Sequence, residues 1–199
     1  MAAGGERSAS PFDFAPLTPD RWKDLETLFG ARGACGGCWC MAWRLAPKAF
    51  SAGKGECNRR AFMSVVKKGP PPGVLAYVDG EPVGWCAVAP RSAYPRLANS
   101  RVLAPVDDEP AWSVSCLFVT RAHRRKGLSA ELLRAAAALA KSHGAGIVEG
   151  YPVDMRGKDQ PAPFVWTGLP SAFLKAGFKE AARRSDTRPI MRKRLHPQG

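Results

Sequence analysis

A strand, a basic turn and a helix follow one another without a break between Trp112 and His143, and this succession constrains the chain more than any other feature. Trp112 to Val119 is apolar and β-prone, interrupted only by Ser113 and Ser115, and reads as a central strand. Leu128, Leu132, Leu133, Ala136, Leu139 and Ala140 then share one helical face, stopped by Gly144. Between them lies Arg121-Ala122-His123-Arg124-Arg125-Lys126-Gly127-Leu128-Ser129. The first N–H groups of a helix have no intrahelical partner, and the macrodipole places about half a positive charge at that end. A phosphate or pyrophosphate satisfies both. Gly127 admits an anion close to the main chain, Ser129 keeps the first turn open, and Arg124, Arg125 and Lys126 supply the neutralising charge.

The rest of the chain is organised around this unit. Its 199 residues suffice for one domain with a full core and are too few for two of ordinary size. Residues 17–195 are expected to form that domain, with a flexible arm at 1–16 and a short tail at 196–199. Thr18 and Pro19 open a first helix that runs to Gly30, and residues 54–68 give a second, ended by Gly69-Pro70-Pro71-Pro72-Gly73. Val74 to Val78 and Pro82 to Ala89 are strands of a hairpin turning at Asp79-Gly80. Residues 90–111 are irregular, with a candidate strand near Ser100 to Leu103. Ile147-Val148 starts a short strand, 154–163 is a loop, Ser171 to Ala176 is a helix closed by Gly177, and Phe178 onward supports one or two final strands.

Leu117, Val119, Arg124, Gly127 and Ser129, in this order of elements, resemble the acetyl-CoA motif of the GNAT superfamily. Ser129 stands where that family usually has Gly or Ala, and Lys175-Ala176-Gly177-Phe178 is similar to its late Gly-Phe signature. The resemblance implies an α/β (α+β) fold: a mixed, mostly antiparallel central sheet flanked by helices and splayed between its fourth and fifth strands. It also implies an acetyl-CoA-dependent N-acetyltransferase acting on a primary amine in a ternary complex. Leu117, Phe118, Val119, Arg124, Arg125, Lys126, Gly127, Leu128, Ser129 and Phe173 are the implied cofactor-binding residues. Leu117 and Val119 would pair with pantetheine through their backbone, and the amide after a bulge would polarise the thioester carbonyl. Many relatives carry a proton-donating tyrosine at the position of Phe173, so Tyr151 is the expected substitute acid. Glu149 is the candidate base, with Asp154, Asp107 and Asp108 as alternatives and an arginine partner as its structural role.

The loop between the first two helices often lines the acceptor site in the family, which makes Cys38, Trp39 and Cys40 candidate substrate contacts, with Met41 and Trp43 beside them. Cys35, Cys38, Cys40 and Cys57 also allow plain packing or a zinc set, but the second Cys-x-x-Cys of a zinc ribbon is missing and no metal is expected. The six cysteines do not form a disulfide framework, no apolar run approaches the ~18 residues of a membrane span, and 1–16 contains no apolar signal core. A cytoplasmic protein is expected, with room for a homodimer. Its net charge of +13 draws anions of any kind, and the run Arg183, Arg184, Arg188, Arg192, Lys193, Arg194 raises nucleic acid as an alternative partner. The cations are not interleaved with aromatics as a stacking platform requires, which disfavours it. A CoA-binding regulator without turnover is the third reading.

Overall fold

The computed structural model describes residues 10–157 and 165–195. Seven strands form one sheet in the order β1-β2-β3-β4-β5-β7-β6. The hairpin of β2 (Gly73–Val78) and β3 (Glu81–Pro90) turns at Asp79-Gly80, where both residues have positive φ, as a two-residue turn of this hand requires. β4 (Trp112–Val119) pairs antiparallel with β3, and β5 (Ile147–Gly150) pairs parallel with β4. β7 (Pro189–Arg194) joins β5, and β6 (Lys179–Arg183) closes that edge, both antiparallel. The single parallel pair is the one that a crossover helix must connect. That helix is α5 (Leu128–Ser142).

Side-chain alternation sorts the sheet into two cores. Cys86, Val88, Val114 and Leu117 pack under α5 and α6 (Pro170–Lys175). Trp85, Ala87 and Cys116 face α1 (Trp22–Phe29) and α3 (Glu56–Lys68). Val114 and Leu117 lie on the same face although they are three residues apart, because Ser115 is an extra residue between the pairs Val88↔Val114 and Ala87↔Cys116. This is a β-bulge, and it bends β4 where its next neighbour leaves it.

Several expectations change. Asp13–Pro16, placed in the flexible arm, is strand β1 on the free edge of β2, with Phe12 buried in the core and Phe14 packed against it. An unpaired edge and two apolar side chains outweigh the polar composition upstream. Residues 100–103 form turns, and α4 (Pro95–Ala98) precedes them; Ser100 accepts from the Leu103 amide instead of entering a ladder. The helix expected over 54–68 starts at Glu56, after a separate α2 (Pro47–Ala52). The first turn of the first helix is 3₁₀, and Thr18 makes no side-chain cap bond. The loop expected at 154–163 lies mostly outside the described residues, as do residues 1–9 and the tail at 196–199.

The basic run at the C-terminal end is not a solvated tail. Arg183 pairs with Asp154 and Glu180, Arg192 with Glu149 and Asp107, and Arg194 with Glu109. Three of the run's six cations are thus neutralised by carboxylates of the same domain, which weakens the case for a nucleic-acid surface.

Candidate active site

β4 and β5 pair only over Trp112–Val114 and Val148–Gly150. Beyond Val114 the strands part, with the Ser115 bulge at the fork. A strand that loses its neighbour leaves backbone groups to be satisfied some other way. Leu117 donates its N–H to the carbonyl of Trp166 at 2.7 Å, and the Val119 carbonyl accepts from Arg124 Nε at 3.1 Å. The lane expected to receive pantetheine at Leu117 is therefore occupied by the chain's own 165–168 segment, a correction to the reading of Leu117 as an open amide.

The turn at the open end keeps its expected form. Gly127 is the N-cap of α5 with φ +85°, and no side chain caps the helix. Among the described residues the amides of Arg125 through Ser129 donate to no protein acceptor. Arg124, Arg125, Lys126 and Gly127 are exposed, none of the three cations is in an ion pair among those residues, and Leu128 is buried as the first anchor of α5. Five unpaired amides and three cations thus fall within Arg124 to Ser129 at the N-terminus of α5, a setting that favours an anion.

Phe173 is fully buried on the α5 side of the fork. Its ring meets Phe178 edge-on at 5.2 Å and lies so close to Gly150 that a Cβ there would come within 2.1 Å of it. Gly150 is needed at the end of β5 for this close approach. Phe118, by contrast, points to the opposite face, where it packs against Phe29.

Glu149 and Tyr151 leave β5 on the face opposite Phe173 and enter a buried polar chain. Glu149 Oε1 accepts from Arg192 at 2.7 Å and 3.0 Å, and Oε2 accepts from the Tyr151 hydroxyl at 3.2 Å, with Arg91 at 3.5 Å. Tyr151 also accepts from Arg91 at 2.5 Å and shares a 2.8 Å hydrogen bond with Ser113. Arg192 continues to Asp107, whose carboxyl it holds below the usual range. Burial, reinforced by the Glu149 carboxylate, raises Tyr151 well above an ordinary phenol. Glu149 is 1 % exposed and Tyr151 0 %. Both oxygens of the carboxylate are engaged by arginine or tyrosine, and the phenol is enclosed by its partners. Asp107 and Asp154 are likewise held by arginines. Sequence reasoning missed Arg91, whose two outer nitrogens tie Tyr151 to the Leu103 carbonyl across the irregular stretch.

The cysteine loop turns inward. Trp39 is buried, stacked on Trp22 at 5.9 Å, and Cys40 accepts from Trp85 Nε1 at 3.1 Å. Cys38 is half-buried with its thiol toward the Gly33 carbonyl. Trp39 and Cys40 pack against α1 and β3, and Trp43 in the same loop has its ring 5.8 Å from that of Trp166. Among the described residues no group of three His, Cys, Asp or Glu side chains is placed to hold a metal ion.

The family model for the acetyltransferase (GNAT) family matches residues 39–151, more than half of the chain and the whole of the fork and turn. The chain belongs to the GNAT acetyltransferase family. A PaiA N-acetyltransferase from Thermoplasma acidophilum, solved in complex with coenzyme A, shares the fold at 14 % identity and TM-score 0.54, over 92 % of this chain and 99 % of that one. An acetyltransferase of the GNAT family from Streptococcus agalactiae does so at 13 % identity and TM-score 0.54, over 93 % and 96 %. No curated protein matches the chain by sequence.

As a GNAT acetyltransferase the chain is an acyltransferase with acetyl-CoA as co-substrate. The unpaired amides and cations of the Arg124 to Ser129 turn fit a pyrophosphate. The Leu117 lane fits pantetheine only if the Trp166 carbonyl gives way, because one N–H cannot serve two acceptors well. Acetyl-CoA binding should therefore move Trp166. Intrinsic fluorescence is expected to change on titration, and Trp166→Phe, which keeps the backbone carbonyl, should remove most of that change while leaving affinity nearly the same. An unaltered fluorescence response in the variant would show that the 165–168 segment stays in place.

Proposed function

We propose that this GNAT acetyltransferase transfers an acetyl group from acetyl-CoA to a primary amine by direct attack within a ternary complex. The observation that carries the reading is the continuity of the Ser115 bulge, the fork and the anion-binding turn along one strand and its following helix. That geometry supports the thioester at the fork when the pyrophosphate is at Gly127. The amine nitrogen attacks the thioester carbonyl carbon, a C–N bond forms, the C–S bond breaks, and CoA leaves as a thiolate. The acceptor's ammonium proton must be lost before attack and a second proton after it. A backbone amide at the bulge supports the developing oxyanion, a contribution worth about 3–4 kcal/mol where such donors have been removed from other enzymes.

In this reading Glu149 and Tyr151 are positioning residues. They fix Ser113 and the end of β5, and so the width of the fork, without exchanging protons with substrate. CoA thiolate departs without a tyrosine acid, assisted by the positive end of α5 and the adjacent cations. The absence of a helix long and apolar enough to cross a membrane among the described residues accords with a cytoplasmic enzyme.

The test is release of free CoA thiol against a panel of primary amines, secondary amines and alcohols, with products identified by mass. Acetylation confined to primary amines supports the reading. Acetylated alcohols, or a covalent acetyl-enzyme formed without acceptor, would overturn it.

A further inference from the structure

On the β6–β7 edge Arg183, Arg192 and Arg194 have carboxylate partners, whereas Arg188 has none among the described residues. It is half-buried, and its guanidinium donates only to neutral oxygens, Thr167 Oγ1 at 3.1 Å and the Tyr151 carbonyl at 3.4 Å. Burial lowers its pKa with no compensating anion. Arg96 is also half-buried. It donates to the Ala42 carbonyl at 2.6 Å and lies over the Trp43 ring at 5.6 Å, again without a carboxylate. A partly desolvated guanidinium that meets only neutral acceptors retains capacity for a charge-assisted, two-pronged bond to a carboxylate.

These two arginines flank one structure. Arg96 covers Trp43, Trp43 packs on Trp166, and Thr167, which holds Arg188, is the next residue. The carbonyl of Trp166 is the group seated on Leu117 at the fork. The aromatic pair with its two cations therefore stands beside the point where the thioester is placed. The Trp43 indole N–H is buried and has no acceptor among the described residues. Such an unsatisfied donor is uncommon and calls for an explanation. Two cations without carboxylate partners and one donor without an acceptor are thus linked, among the described residues, through the Trp43–Trp166 contact and the adjacent Thr167.

We propose that the acceptor amine also carries a carboxylate, as an amino acid does, with the carboxylate held by Arg188 and Arg96 and an apolar or aromatic side chain against Trp43 and Trp166. This rests on the acetyl-transfer reading above and assigns the substrate class of that site. Each charge-assisted hydrogen bond contributes about 1.5–3 kcal/mol, which is roughly 10- to 100-fold in kcat/KM when it is lost.

The experiment compares matched acceptors with acetyl-CoA saturating: phenylalanine, phenylalaninamide and phenethylamine, the corresponding set for leucine, and phosphoethanolamine as a phosphate-bearing amine. The free acids are expected to exceed their amides and decarboxylated forms by about 10- to 100-fold in kcat/KM, mainly through KM. Arg188→Gln should collapse that ratio toward one, and Arg188→Lys, which keeps the charge without the fork, should restore part of it. Calorimetry with acetyl-CoA on each variant confirms that the cofactor site is intact. Equal use of acids and amides, or preference for phosphoethanolamine, would overturn the carboxylate assignment while leaving acetyl transfer standing. Absence of any acetylated amine, with acetyl-CoA still bound, would instead overturn the acetyl-transfer reading and this inference with it.

Discussion

Gly127→Glu is expected to lower acetyl-CoA affinity by at least roughly 100-fold, with the fold retained. The N-cap glycine has φ +85°, a conformation that costs an L-residue about 1–2 kcal/mol, yet a Cβ there meets no atom within 4 Å. The substitution is therefore strained but not clashing. Its effect falls on the ligand: a carboxylate enters the space meant for pyrophosphate and competes for the same amides. Losing two charge-assisted contacts, at about 1.5–3 kcal/mol each, corresponds to a 10²- to 10⁴-fold weaker complex. Gly127→Ala separates the causes, since it carries the backbone strain without the charge and should weaken binding only about tenfold. Arg125→Ala offers a further contrast. Its side chain is exposed and unpaired among the described residues, and isolated surface charges contribute about 0–1 kcal/mol, so affinity should fall by less than roughly fivefold. Calorimetry across the three variants checks the order.

The second large effect is on stability. Glu149→Ala should destabilise the protein by about 3–5 kcal/mol, because it removes the carboxylate between Arg91 and Arg192 and leaves two mostly buried guanidiniums facing each other. For a chain of this size that corresponds to a drop in Tm of roughly 6–20 °C. Glu149→Gln keeps an acceptor and the volume and should lose less. Calorimetric unfolding of both variants gives the comparison, and a Tm unchanged by Glu149→Ala would mean that the chain from Asp107 to Ser113 contributes nothing to folding. A catalytic base would behave differently: Glu149→Gln would abolish turnover with Tm preserved.

The parts of the molecule legible in the sequence were those governed by local chemistry. β4, the basic turn and α5 are contiguous, and the apolar periodicities, the Gly127 cap and the cation run all act within about twenty residues. The Asp79-Gly80 hairpin was legible for the same reason. What the sequence hid depends on pairings far apart in the chain. Arg192 meets Asp107 across 85 positions and Arg91 meets Tyr151 across 60, and no local pattern distinguishes a carboxylate so held from one free to accept a proton. The burial of the Trp39 and Cys40 side chains was not legible, because a Gly- and Cys-rich loop has no period that fixes which side faces inward. Arg188 was legible only as one cation of a basic run and Arg96 not at all, since their lack of anionic partners among the described residues appears only when the neighbours are in place. A signal was present for Trp43, an aromatic residue in a loop that the family resemblance already directed to the acceptor site.

The turn from Arg124 to Ser129 is expected to receive the pyrophosphate of acetyl-CoA and so to deliver the thioester to the fork at Ser115. Titration calorimetry of the unmodified protein with acetyl-CoA, repeated in excess inorganic pyrophosphate and at raised salt, tests it most directly. One site per chain, an affinity that weakens as salt rises, and competition by pyrophosphate are expected. Absence of saturable binding, or an affinity unchanged by pyrophosphate, would contradict it.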